Sequence, residues 1–144
     1  MAHEDAGHYA AKHPPGTKLD AKIAEALREE SRDGQITCAA AHRIARDLKV
    51  LPSDVGVALD LLELRIGKCR LGLFGYGEKK AIKPAEHVSP ELEDALRKSV
   101  VENRLSCLSC WKIAEELSLT RMEVSAACES LNIKIGSCQL GAFR

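Results

Sequence analysis

Residues 44–55 read Ile44-Ala45-Arg46-Asp47-Leu48-Lys49-Val50-Leu51-Pro52-Ser53-Asp54-Val55, and residues 113–124 repeat the frame as Ile113-Ala114-Glu115-Glu116-Leu117-Ser118-Leu119-Thr120-Arg121-Met122-Glu123-Val124. In both, apolar residues recur at helical spacing, a short break interrupts them, and a second apolar period begins. Working outward, the same register aligns Glu25–Phe74 with Asp94–Phe143 without a gap, and 16 of the 50 positions are identical. Ala26-Leu27-Arg28 falls on Ala95-Leu96-Arg97; Gly67, Cys69, Leu71, Gly72 and Phe74 fall on Gly136, Cys138, Leu140, Gly141 and Phe143. The chain is two copies of one small fold.

Each copy predicts the same succession of elements. Copy two opens a helix with Ser89-Pro90-Glu91, a cap followed by proline in the first turn. Copy one opens with Thr17-Lys18-Leu19-Asp20, which has the form of a capping box. A short apolar segment follows, Ile36-Thr37-Cys38 or Leu105-Ser106-Cys107, whose hydroxyl can cap a second helix. That helix carries Ala41, Ile44, Ala45 and Leu48, or Cys110, Ile113, Ala114 and Leu117, on one stripe. The third helix, Pro52–Leu64 or Thr120–Asn132, turns Val55, Ala58, Leu59 and Leu62, or Val124, Ala127, Cys128 and Leu131, inward; Thr120 and Glu123 form a second capping box. Leu64–Leu71 and Ile133–Leu140 read as strands bent at Gly67 and Gly136.

This order resembles the winged helix-turn-helix family, and the residues that carry the resemblance are Ile44-Ala45, Leu48, Val50 and Val55 with their counterparts Ile113-Ala114, Leu117, Leu119 and Val124. The resemblance implies a mainly α fold with a minor α+β element: two tandem winged-helix-like three-helix domains with short strands. In that family the small alanine lets the second and third helices cross closely. The segment after the third helix is short, so the implied wing is rudimentary. The expected organisation is a flexible tail over 1–17, a first repeat over 18–77, a linker over 78–88 and a second repeat over 89–144.

Composition agrees with a soluble helical protein. Of 144 residues 45% are hydrophobic and 29% charged, and aromatic residues make up only 3%, too few for a sheet-rich core or a base-stacking surface. There is no apolar run long enough to span a membrane and no secretory leader pattern, so no membrane partner and a cytoplasmic location are expected. Six cysteines in such a chain are expected to be reduced.

The resemblance implies double-stranded DNA as partner, each third helix entering the major groove, in a transcriptional regulator. Charge gives an independent check. Lys plus Arg and Asp plus Glu are both 21, a zero balance that does not announce nucleic acid. The third helix of copy one holds Asp54, Asp60 and Glu63 and no basic residue, leaving Ser53, Arg121, Ser125 and Asn132 as candidate base readers. Positive charge concentrates on the wing and linker, where Arg65, Lys68, Arg70, Lys79, Lys80 and Lys83 stand against Glu78 alone. These six are the candidate phosphate contacts, with Arg43, Arg46, Lys49 and Lys112 beside the second helices as additions. The alternative function is a protein-interaction scaffold, binding a protein partner or a second copy as a homodimer. The acidic third helix of copy one would then be the docking face.

A third reading is a thiol- or metal-responsive regulator. Cys107-x-x-Cys110 at a helix start and Cys138 supply three candidate metal ligands, with Cys128 or a sulfur of the other copy as a fourth for zinc. The simpler account is core packing by reduced cysteines, and no cofactor is expected. If the segments around Cys38 and Cys69 pair as strands, those two thiols approach each other. His3, His8 and His13 lie five apart in the tail, off a common helix face. Leu71-Gly72-Leu73-Phe74-Gly75-Tyr76-Gly77 has no helix behind it and so is not a dinucleotide loop; Phe74 and Phe143 are expected to plug the cores. No nucleophile–base arrangement, phosphate loop or paired-carboxylate motif is present, so an enzyme is not expected.

Overall fold

The first helix of each copy begins one residue after a side-chain cap. In the computed structural model, which describes residues 8–77 and 80–143, Asp20 accepts from the backbone N–H groups of Lys22 and Ile23 at 2.9 and 3.0 Å and opens α1 (Ala21–Glu30). Ser89 accepts from Leu92 N–H at 3.2 Å and opens α4 (Pro90–Ser99). The capping box expected at Thr17 is not formed: its hydroxyl donates to the Pro14 carbonyl instead. Asp20 and Ser89 are counterparts in the register of the repeat, so the duplication extends back to the caps.

Short strands β1 (Gln35–Thr37) and β3 (Arg104–Ser106) lead directly into α2 (Cys38–Leu48) and α5 (Cys107–Glu116). Thr37 accepts from Ala40 N–H and Ser106 from Ser109 N–H, both at 3.1 Å. A left-handed residue, Lys49 or Ser118, then turns the chain into α3 (Pro52–Leu61) or α6 (Arg121–Ser130). At α6 the expected capping box is present in both directions, Thr120 N–H to Glu123 at 2.7 Å and Glu123 N–H to Thr120 Oγ1 at 3.1 Å. At α3 only the carboxylate half exists, Leu51 N–H to Asp54 at 3.0 Å, because leucine offers no acceptor. The chain is mainly helical.

Strands β2 (Arg65–Gly67) and β4 (Lys134–Gly136) close each copy by parallel pairing, Ile36 opposite Ile66 and Leu105 opposite Ile135. They are much shorter than the strands expected over 64–71 and 133–140. Lys68 and Ser137 adopt φ of 48° and 50°, which stops the ladder one residue past the glycine named as the bend. Gly67 itself pairs with Thr37 within the strand. Among the described residues no further strand follows β2 or β4, so each sheet has two strands. Left-handed residues recur in register: Asp33 with Glu102, Gly34 with Asn103, Lys49 with Ser118, Glu63 with Asn132, Lys68 with Ser137, Gly72 with Gly141. The backbone thus duplicates even where side chains differ.

The chain divides into two units, each with its own core. The first holds the residues up to Cys69 together with Gln139–Phe143; the second holds Arg70–Cys138. The boundaries therefore fall just after the strands rather than within 78–88, and the segment following each strand belongs to the other copy's unit. In the first unit Leu27, Ala41, Val55 and Leu59 meet beneath the helices, and Leu140 is buried with them. Leu96, Leu105, Cys110, Val124 and Cys128 fill the second, joined by Leu71. Phe74 is buried as expected; Phe143 is half-buried. No helix among the described residues is long and apolar enough to cross a membrane.

The expected tail is docked over its described part. Tyr9–Lys12 form a 3-10 turn with the Tyr9 ring buried against α3.

Candidate nucleic-acid interface

The expected helix-turn-helix reading would place DNA contacts at the exposed start of the later helix of each pair, α3 and α6. At α3, Ser53 and Asp54 are exposed, and Leu51 in the turn before them is 65% exposed. Asp54 is committed to the Leu51 N–H. At α6, Glu123 is equally committed to its cap, while the Arg121 guanidinium lies 4.0 Å from the centre of the Trp111 ring. That stacking fixes Arg121 as a partner of α5 and removes most of its freedom to reach a base.

Ser125 does not belong to the interface. It is fully buried, and its hydroxyl has no partner among the described residues. Its register explains this: Ser125 is the counterpart of Gly56, where a Cβ would stand 2.0 Å from the Leu140 carbonyl oxygen. Small residues at this position admit close packing on the third helix and do not face a groove. Asn132 is exposed, in a left-handed conformation, with its carbonyl accepting from the Asn103 amide.

The other flank of each third helix is covered by the segment that precedes its own copy. In the first unit, the N–H groups of Tyr9 and Ala10 donate to the two Glu63 carboxylate oxygens at 2.9 and 3.1 Å. His13 Nε2 lies 2.7 Å and Lys12 Nζ 3.2 Å from Asp60 Oδ2, and Lys12 also donates to the Gly141 carbonyl. In the second unit Lys80 pairs with Glu129 at 3.0 Å, Ala85 N–H donates to the Ala126 carbonyl, and Ala81 N–H donates to the Gly72 carbonyl. Asp60 and Glu129 occupy equivalent positions of the two copies, and each binds a lysine from the strap before it. The acids of the third helices thus have partners inside their own units, and the acidic flank of α3 expected as a docking face is already occupied.

The basic set divides accordingly. Lys68, Arg70 and Lys83 are exposed and form no ion pair among the described residues; Arg65 is exposed at the start of β2. Lys80 is spent on Glu129, and Lys79 lies outside the described residues. Beside the second helices, Arg43 pairs with Glu30 at 2.9 Å and Arg46 with Asp47 at 3.6 Å, while Lys49 and Lys112 are exposed.

No disulfide joins the cysteines among the described residues, Cys38 and Cys69 included. Among the same residues no three His, Cys, Asp or Glu side chains are placed to hold a metal ion, so Cys107, Cys110 and Cys138 do not form the candidate zinc set. Cys110 and Cys128 are instead buried on the packed helices α5 and α6. The neighbouring Cys128 and burial hold the Cys110 proton well above the usual thiol range.

Comparison with known proteins returns no matching family model, curated protein or solved structure.

Proposed function

We propose that the protein is a non-enzymatic regulator that binds duplex DNA through its two helix-turn-helix units. One observation carries the reading: a helix, a tight turn through a left-handed residue, and a capped second helix occur twice at one register. In this reading both units are winged-helix-like domains with a minimal wing. Backbone contact falls to Arg65, Lys68, Arg70 and Lys83, and base contact to Ser53 at the start of α3. Phosphate contacts dominate such affinity, so binding must weaken steeply with salt.

A gel-shift titration with random duplex at low and moderate salt tests this. Binding that falls with salt, and falls further when Lys68, Arg70 and Lys83 are changed to Gln, supports it; no shift at low salt refutes it.

A second reading, a scaffold for a protein partner or a second copy, is favoured by Val101, 71% exposed, and Leu108, 46% exposed, on the second unit. Analytical ultracentrifugation of the same preparation tests self-association directly.

A further inference from the structure

The duplication supplies an internal control for the outer face of each two-stranded sheet. Residues two apart on a strand share a face, and so do residues in register across a ladder. In the second unit Arg104 and Ser106 of β3 therefore share a face with Lys134 and Gly136 of β4. A recess of about 280 Å³ borders that face, lined by Arg104, Ser106 and Gly136 and, around them, by Ser99, Ser109 and Ser137. Gly136 is buried and leaves the middle of the face without a side chain. No carboxylate lines the recess; four hydroxyls share it with one guanidinium.

The first copy carries different side chains at the same register. Ser99, Ser109 and Ser137 answer to Glu30, Ala40 and Lys68, and Arg104 answers to Gln35. Glu30 pairs with Arg43 at 2.9 Å, and the Gln35 carboxamide oxygen lies 3.6 Å from where a Cβ of Gly67 would stand. The second copy thus has no acid at these positions, and three hydroxyls and a guanidinium that the first copy lacks. Its ladder also differs: Arg104 stands opposite Lys134, where the first copy sets Gln35 opposite Arg65. Like charges opposite one another on a ladder repel, and an anion beside them removes that repulsion. Ser106 accepts from the Ser109 N–H at 3.1 Å, and one hydroxyl proton joins the two side chains at 2.9 Å. Of their two hydroxyl protons, one remains to be donated.

We propose that this recess is a binding site for a phosphate monoester, as the free ion or on a small molecule, held by the Arg104 guanidinium and the serine hydroxyls. A guanidinium engages two phosphoryl oxygens at once, and short hydroxyls donate to the others. The recess lies just below the usual range of about 300–1,000 Å³ for ligand pockets, which suits a terminal phosphoryl group on a small body. A duplex phosphodiester carries a sugar on each side and does not enter such a space. None of the residues assigned to DNA above takes part, so the inference stands whether or not the protein binds DNA.

The test titrates the isotope-labelled full chain with inorganic phosphate and, separately, with glycerol 3-phosphate, following backbone amides by NMR against sodium chloride of equal ionic strength. Saturable shifts confined to residues 99–109 and 134–137 are expected with the phosphates and not with chloride, while the counterparts 30–40 and 65–68 stay still. The tighter of the two phosphates tells whether the site takes the free ion or an ester. Arg104→Gln, which installs the first copy's residue, should weaken binding about tenfold or more. Ser99→Glu, which places the first copy's carboxylate in the recess, should abolish it. Both positions are exposed, so the urea midpoint of each variant should stay near that of the parent chain. No shift at all, shifts that chloride reproduces, shifts in both copies alike, or unchanged affinity in Arg104→Gln would each overturn the proposal. So would a short duplex that moves the same amides and displaces phosphate.

Discussion

Replacing Gly56 by alanine should destabilise the protein although alanine is the better helix former. Glycine in a helix interior gives up about 1 kcal/mol relative to alanine. Against that gain, the new methyl group would stand 2.0 Å from the Leu140 carbonyl oxygen, 2.8 Å from its carbon and 3.2 Å from its Cα. All three are backbone atoms, so no side-chain rotation relieves the overlap, and either Leu140 or α3 must move. Forcing one extra carbon into a packed interior costs about 1–3 kcal/mol, and a backbone obstacle belongs at the upper end. The net expected loss is about 1–2 kcal/mol, read as a lower urea midpoint at unchanged slope. In a chain ending at Cys138 the obstacle is gone, and the same substitution should stabilise by up to about 1 kcal/mol. The two effects of one mutation therefore have opposite signs. Position 125 gives the companion test: Ser125→Ala keeps the Cβ already accommodated in α6 and deletes a buried hydroxyl with no partner. It should stabilise by about 1 kcal/mol. A higher midpoint for Gly56→Ala in the full chain, or an equal loss in both chains, would refute the assignment of Leu140 to the first unit's core.

Leu96→Ala, at a fully buried position on α4, should cost about 2–5 kcal/mol by denaturant titration. Thr120→Ala removes the cap of α6 and should cost about 1 kcal/mol, with Thr120→Ser close to neutral. Asp60→Asn removes the carboxylate shared by Lys12 and His13 and should raise the rate of limited proteolysis within residues 8–13, leaving 80–85 unchanged.

The sequence was most legible where structure is decided within one helical turn. The hydroxyls of Thr37, Ser106, Thr120 and Ser89 cap where their spacing predicted, because each needs only an N–H three residues on. Thr17 failed by the same local logic: two caps compete within one short stretch, and Asp20 wins. The duplication held the answer, since the register that aligns the copies sets Ser89 against Asp20. Strand length was illegible because Lys68 and Ser137, the residues that end the ladders, are not types that announce a left-handed backbone. Ser125 was misassigned by its chemistry, a hydroxyl on an expected reading helix. Its alignment with glycine was the better signal, because small residues at one register mark a close approach. The strap contacts lay out of reach: Lys12 is far from Asp60 along the chain, as Lys80 is from Glu129, and no periodic pattern links them.

The two straps are unequal, and the inequality decides which third helix is easier to uncover. At α3, Asp60 is held by a lysine and a histidine and Glu63, just past the helix, by two backbone N–H groups, with the Tyr9 side chain buried beside them. Charge-assisted bonds to backbone are the stronger kind, and aromatic burial does not weaken with salt. On α6, the strap rests on the half-exposed Lys80–Glu129 pair and on one backbone bond, Ala85 N–H to Ala126, while Ala81 N–H bonds Gly72 outside the helix. An exposed ion pair is worth about 0–1 kcal/mol and is screened by salt. Hydrogen exchange should therefore be faster at Ala81 and Ala85 than at Tyr9 and Ala10, and raising salt should accelerate the first pair more than the second. Acids that look like a reason to repel DNA are thus paired within their own units. Equal protection of both straps, or a salt response confined to residues 8–13, would show that the pairing with Glu129 is not what holds the second strap on its helix.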